Sequence, residues 1–158
     1  FTPTITNTPD PIDAVEYVVS CGTELCLKKT NGETIPISLP SSFEEILYKP
    51  TWSNSGEKIL FSGCKQLYSG ECRPNLYSIN RNGTELNEIL IDPISFFKHP
   101  NQSFDGEYIA FHNTGMLSVI KNDGIKTIHF PNDANYCVQS LAWSPNSTKL
   151  AYVIGDCL

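Results

Sequence analysis

The stretch TWSNSGEKILF at Thr51–Phe61 returns twice without gaps, as NQSFDGEYIAF at Asn101–Phe111 and AWSPNSTKLAY at Ala142–Tyr152. Trp52, Gln102 and Trp143 share one column, at intervals of 50 and 41 residues. A second shared element follows the first two units, LYSINRNG at Leu76–Gly83 and LSVIKNDG at Leu117–Gly124. LCLKKTNG at Leu25–Gly32 is the same element again. It follows EYVVS at Glu16–Ser20, whose letters match the tail of the first unit. Self-similarity of this kind is a strong fold signal, because each unit must bury its apolar faces against its neighbours.

Outward from these units the chain reads as strands. No amphipathic helical period is present, and short runs rich in Val, Ile, Phe and Tyr alternate with turn dipeptides. The runs predict strands at Val15–Ser20, Leu25–Thr30, Thr34–Leu39, Lys58–Ser62, Asn75–Asn80 and Leu86–Ile91. Further strands are expected at Tyr108–His112, Leu117–Lys121, Lys126–Phe130, Gln139–Trp143 and Lys149–Ile154. Asn31-Gly32, Asn82-Gly83 and Asp123-Gly124 suit two-residue type I′ hairpins, whose central residues both need positive φ. A period of 41 to 50 residues holding four strands is the size of one propeller blade. Trp52 and Trp143 then belong to innermost strands, where they wedge between blades. Ser53 to Gly56 and Ser103 to Gly106 form the tight turn into the second strand. Ile59-Leu60-Phe61, Ile109-Ala110-Phe111 and Leu150-Ala151-Tyr152 read as central strands buried on both faces, which removes strict alternation. The expected class is all-β, with blades of four-stranded antiparallel sheets in an open or partial propeller.

These units resemble the TolB-type, WD-like β-propeller repeat, whose core reads W-S-P-D-G-x-x-I-A-F followed by L-Y-x-x-x-x-D-G. WSNSGEKILF, SFDGEYIAF and WSPNSTKLAY match its first half, and NLYSINRNG and MLSVIKNDG match its second. The departures are Gln102 in the aromatic column, Ser55 in place of Asp, and Asn146-Ser147 in place of Asp-Gly. The resemblance covers residues 14–158 and implies fold more closely than function. Trp52, Gly56, Phe61, Gly106, Phe111, Trp143 and Tyr152 are its structural positions. It divides the chain into a partial blade at 14–40 that starts at its second strand, blades at 44–92 and 95–131, and a partial blade at 138–158. A closed propeller takes about four to eight blades. The expectation is therefore a piece of a longer propeller, or open edges that meet another chain.

Composition narrows the partners. The 158 residues suffice for one domain. An apolar content of 40% with 18% charge excludes a disordered chain. Lys plus Arg number 11 against 17 for Asp plus Glu, a net charge of −6. That balance argues against a nucleic-acid groove or a polybasic membrane patch, which need clustered cations. No apolar run approaches the roughly 20 residues of a membrane span. Residues 1–13, FTPTITNTPDPID, read as a Thr/Pro-rich extended linker or an N-terminal strand.

Six cysteines are heavy usage without a CxxC, so neither a zinc knuckle nor a redox pair is indicated. Cys21 and Cys26 bracket GTEL, and Cys64 and Cys72 bracket KQLYSGE. Each pair is expected to form a local disulfide that ties a hairpin loop. Cys137 and Cys157 are left to pair with each other or with a partner. Reduced, buried cysteines acting as small hydrophobes are the alternative. Disulfides would place the chain in an extracellular, periplasmic or cell-surface setting.

No catalytic constellation emerges. His99, His112 and His129 show no HExxH spacing, and no G-x-S-x-G nucleophile elbow occurs. Asp123, Asp133 and Asp156 read as turn formers rather than calcium ligands. No catalytic residue, cofactor or metal is expected. Binding falls to loop aromatics, chiefly Tyr68 inside the Cys64–Cys72 loop and Tyr136, since a stiffened loop loses less entropy on binding. Asn82-Gly-Thr, Asn101-Gln-Ser and Asn146-Ser-Thr are glycosylation sequons in predicted turns. The expected function is a non-catalytic extracytoplasmic module that binds a protein or glycan. The alternatives are a homo-oligomeric structural subunit, joined end to end by strand complementation into a ring or filament, and an accessory propeller of a larger hydrolase.

Overall fold

A computed structural model describes residues 16–40, 43–65, 67–68, 71–72, 74–90, 97–113, 116–122, 127–130 and 136–156. The first sheet joins β1 (Glu16–Cys21), β2 (Glu24–Lys29) and β3 (Thr34–Ile37). The second starts with β4 (Glu45–Trp52) and β5 (Lys58–Cys64). After a small hairpin of β6 (Leu67–Tyr68) and β7 (Glu71–Cys72) it continues with β8 (Asn75–Asn80) and β9 (Asn87–Leu90). The third is formed by β10 (Phe97–Gln102), β11 (Tyr108–Asn113), β12 (Met116–Lys121) and β13 (Thr127–Phe130). The last pairs β14 (Tyr136–Trp143) with β15 (Leu150–Asp156). All pairings are antiparallel, so each sheet is a meander. The expected linker at 1–13 lies outside the described residues, as do Asp123-Gly124 and Cys157.

Period-two alternation explains how central strands bury both faces. Ile59 and Phe61 on β5, with Tyr77 and Ile79 on β8, pack with Leu25, Leu27 and Ile37 of the first sheet. Leu60 and Leu76 point the other way and pack with Ile109, Phe111 and Ile120 of the third. Successive side chains leave a strand on opposite faces, so one apolar run serves two interfaces. Phe43, Phe61 and Tyr77 form an aromatic triad at the first interface, with ring centroids 5.0 to 5.8 Å apart. Trp52 packs against the edge of the same cluster.

One turn recurs three times. Ser53, Ser103 and Ser144 each accept the backbone N–H five residues on, from Lys58, Tyr108 and Lys149 at 3.0, 2.9 and 2.9 Å. In the last two turns the serine hydroxyl donates to the residue two places later, Asp105 or Asn146, at 2.6 and 2.8 Å. Ser53 and Ser55 share the equivalent bond at 3.2 Å. The fourth turn position needs positive φ, met by Gly56 (72°), Gly106 (77°) and, at the strained end, Ser147 (58°). These turns also touch between sheets. Asn54 N–H donates to Gln102 Oε1 at 3.0 Å, Asn54 Nδ2 donates to the Phe104 carbonyl, and Asp105 N–H donates to Ser147 Oγ at 2.9 Å. Gln102, an exception in its column, thus exchanges ring packing for a bond to the preceding turn.

Three expectations change. The Asn-Gly hairpins are not type I′: only Gly32 (89°) and Gly83 (83°) take positive φ, and Gly32 and Gly83 N–H bond Lys29 and Asn80 carbonyls at 2.9 Å. This is a type I turn closed by a glycine bulge, with the asparagine side chain accepting the N–H of Glu33 or Thr84 instead of twisting its own backbone. EYVVS aligns one residue away from its letter match. Val18 opposes Leu27 as Leu60 opposes Ser78, and Val18 is the residue packed on the first interface. Leu150-Ala151-Tyr152 is not buried, because among the described residues no further sheet follows to cover the outer face of β15. The innermost strands that the repeat calls for are β4 and β10, in stretches where propensity alone shows none, for a reason that concerns the site.

Candidate functional site

The first strands of successive sheets, β4, β10 and β14, lie side by side. Each breaks its ladder once, between Leu47 and Thr51, Lys98 and Asn101, and Val138 and Ser140. Pro50 and Pro100 sit in the first two breaks and lack the N–H that a ladder would need. At the second break His99 holds φ at 52°, a left-handed value that costs about 1–3 kcal/mol and persists only where the surroundings enforce it. The three breaks meet in a groove of about 340 Å³ lined by Lys49, Thr51, His99, Asn101, Gln139 and Leu141.

Lys49 in the groove and Lys98 close to it bring positive charge to an acidic chain. His99 is half-buried and His112 is buried; Lys98 opposes His112 in register. Burial lowers the pKa of His99, and the Lys49 and Lys98 ammonium groups lower it further. His112 is lowered by burial first, then by Lys98 and His99. Both imidazoles are therefore held towards the neutral form. As pH falls past the ordinary value of 6.5, the unfolded chain takes up protons before the folded one, so these groups withdraw stability below that pH. Proton NMR titration is expected to place both midpoints below 6.5. Lys98→Met should raise both midpoints, and Lys49→Met chiefly that of His99. Midpoints at or above 6.5 would contradict this electrostatic reading.

The residues singled out by sequence scatter over the fold. Cys21 bonds Cys26 across the β1–β2 hairpin, with Cα atoms 5.9 Å apart. Cys64 at the end of β5 bonds Cys72 on β7, with Cα atoms 5.7 Å apart. Cys137 is placed on β14 opposite Gly155. Tyr68 is placed on β6 and Tyr136 on β14, two residues before the break at Val138–Ser140, and their side chains lie outside what the structure describes. Trp143 Nε1 donates to the Asn101 carbonyl at 3.0 Å, and its ring lies 6.3 Å from that of Tyr108. Phe61 and Phe111 are buried, Gly56 and Gly106 hold the recurring turn, and Tyr152 is exposed. Among the described residues no three His, Cys, Asp or Glu side chains are placed to share a metal ion. No described helix is long and apolar enough to cross a membrane. Lys49, His99 and Gln139 were invisible as a group in the sequence. The one available signal was Pro preceded by a basic residue at Lys49-Pro50 and His99-Pro100, 50 residues apart.

Solved structures decide the architecture. A putative TolB from Agrobacterium tumefaciens superposes with a TM-score of 0.62 at 18% identity, over 84% of this chain and 46% of that one. The fold is that of a β-propeller. An oligogalacturonate lyase in complex with manganese gives a TM-score of 0.68 at 16% identity, over 91% of this chain and 44% of that one. A nidogen/laminin complex gives 0.67 at 12% identity, over 87% of this chain and 52% of the matched one. This chain thus spans about half the length of these propellers. No family model matches it, and no curated protein does. Its four larger sheets are propeller blades, and β4, β10 and β14, which form the groove, are the first strands of three of them; in a closed propeller the blades surround a central channel.

Proposed function

We propose that this chain is a non-catalytic propeller module of an oxidising, extracytoplasmic compartment that binds a protein partner at the channel groove. The observation that carries this reading is the meeting of three ladder breaks in one cavity. Each inner strand forgoes backbone pairing where Lys49, His99 and Gln139 reach the groove. Strained backbone persists where its surroundings enforce it, and it concentrates at binding surfaces. On a chain of net charge −6, Lys49 in the groove lining and Lys98 close to His99 favour a partner segment rich in Asp or Glu. The nidogen neighbour, solved as a complex with laminin, supports a protein partner, and the two disulfides support the compartment. A disulfide-tied Tyr68 loop remains a second contact in this proposal.

The test is fluorescence anisotropy with a labelled oligoglutamate peptide and an oligolysine control. Oligoglutamate is expected to bind selectively and to weaken with salt. Lys49→Glu combined with Lys98→Glu should weaken it by about tenfold or more. Equal binding of both peptides, or an unchanged double variant, would overturn the reading. Selective binding of an acidic oligosaccharide but not the peptide would shift the partner class to glycan.

A second reading rests on its own observation. Tyr17 on β1 and Tyr152, Val153 and Ile154 on β15 are exposed large apolar side chains at the two outermost described sheets. They favour end-to-end association of copies by strand addition. Sedimentation over a hundredfold concentration range tests it; a monomer throughout would sink this reading while leaving the groove proposal standing.

A further inference from the structure

The turns carrying Asn82-Gly83-Thr84 and Asn146-Ser147-Thr148 share one local geometry. Thr84 Oγ1 donates to Asn82 Oδ1 at 2.6 Å, and the Thr84 N–H reaches the same oxygen at 3.1 Å. Thr148 repeats both bonds to Asn146 Oδ1, at 2.8 and 3.3 Å. Asn82 and Asn146 are exposed. The remaining sequon is built differently. Its Ser103 is fully buried, donates its hydroxyl to Asp105 Oδ1 at 2.6 Å and accepts the Tyr108 N–H at 2.9 Å. Asn101 itself is half-buried within β10, opposite Ala110, and its carbonyl accepts Trp143 Nε1.

We propose that Asn82 and Asn146 are N-glycosylation acceptor sites and that Asn101 is not. In the transfer, Asn Nδ2 attacks the anomeric carbon of a polyprenyl-pyrophosphate-linked oligosaccharide supplied by the modifying host. The C–N bond forms, the C–O bond to pyrophosphate breaks, and the polyprenyl pyrophosphate leaves with that electron pair. One Nδ2 proton is lost to a base. A threonine hydroxyl donating to Oδ1 draws charge onto the oxygen and makes the Nδ2 proton easier to remove. The Ser103 hydroxyl is already committed to Asp105 and has no such role at Asn101. All three turns close within a few residues, through Asn80 N–H to the Thr84 carbonyl, Ser103 N–H to that of Tyr108 and Ser144 N–H to that of Lys149. The hydroxyl bonds that distinguish them are likewise local, Thr84 to Asn82, Thr148 to Asn146 and Ser103 to Asp105. Modification would keep Oδ1 as the acceptor, so the turns survive it. Asn82 also borders a groove of about 470 Å³ with Leu27 and Ile35, which a glycan would cover.

The experiment expresses the full chain behind a secretion leader in cultured eukaryotic cells. Glycopeptide mass spectrometry before and after N-glycosidase treatment is run on cell-associated and secreted protein, since transfer precedes export. Majority occupancy at Asn82 and Asn146 with Asn101 unmodified is expected. Thr84→Ala should abolish the Asn82 glycan and spare Asn146. Asn31 lies in a sibling turn where Glu33 N–H already bonds Asn31 Oδ1 at 2.9 Å, so Glu33→Thr should create an additional glycan at Asn31. Occupancy of Asn101, absence of a glycan at Asn82 or Asn146, or no gain in Glu33→Thr would each overturn the proposal.

Discussion

Phe61→Ala is expected to lower the unfolding free energy by about 3–5 kcal/mol, the range for truncating a fully buried aromatic. Phe61 is 0% exposed and touches both rings of the triad, stacking on Tyr77 at 5.5 Å and meeting Phe43 at 5.8 Å. β5 is hydrogen-bonded on both sides, to β4 and β8, so the backbone has little freedom to collapse into the space left behind. The loss is a large fraction of the roughly 5–15 kcal/mol that holds an ordinary domain together. Tyr152→Ala is the internal control, because Tyr152 occupies the same repeat column on β15 but is 50% exposed. It should cost less than about 1 kcal/mol. Urea titration followed by tryptophan fluorescence reads both variants. Comparable losses would mean that the first interface is not the core it is described as being.

That contrast marks how far letters carry. The repeat column identified the turns correctly because each serine performs the same two backbone tasks, whatever packs beyond it. It could not foresee the exposure of Tyr152, since burial depends on the sheet that stands next to it. The alignment of EYVVS slipped for a related reason. Val18 and Val19 are interchangeable as letters, but a shift of one residue exchanges the two faces of a strand, and only pairing with Leu27 or Cys26 decides which faces inward.

The candidate site was the least legible part. Tyr48-Lys49-Pro50-Thr51 and Lys98-His99-Pro100-Asn101 have the composition of loops, because Pro cannot serve a continuous ladder and the flanking residues are polar. They are strands nonetheless, bulged at the proline and paired on one side with β5 and β11. Local propensity scores the defect and misses its reason. The same departures that hide the inner strands from sequence reading create the groove and place Lys49 and His99 beside it. Sites of this kind violate local rules because they serve a surface rather than a ladder.

The Cys64–Cys72 cross-link should be worth about 2.5 kcal/mol, from the chain entropy that a short closed loop removes from the unfolded ensemble. The Cys21–Cys26 bond closes a shorter loop, five residues in separation against eight, and should contribute about 2 kcal/mol. Loop length therefore separates them only slightly; position separates them more. Cys64 is 0% exposed at the end of a central strand, whereas Cys21 is exposed at the tip of a hairpin. Removing the first bond also loosens the β6–β7 hairpin, which pairs only with itself among the described residues. The paired variants Cys64→Ala with Cys72→Ala, and Cys21→Ala with Cys26→Ala, are to be compared by urea titration. Hydrogen exchange would report whether protection falls locally. The first pair is expected to lose more stability, with exchange accelerated at β6, β7 and the end of β5. The second should confine its effect to β1 and β2. A loss below about 0.5 kcal/mol for the first pair, with unchanged exchange, would show that inner packing alone holds that loop and that the bond contributes nothing measurable.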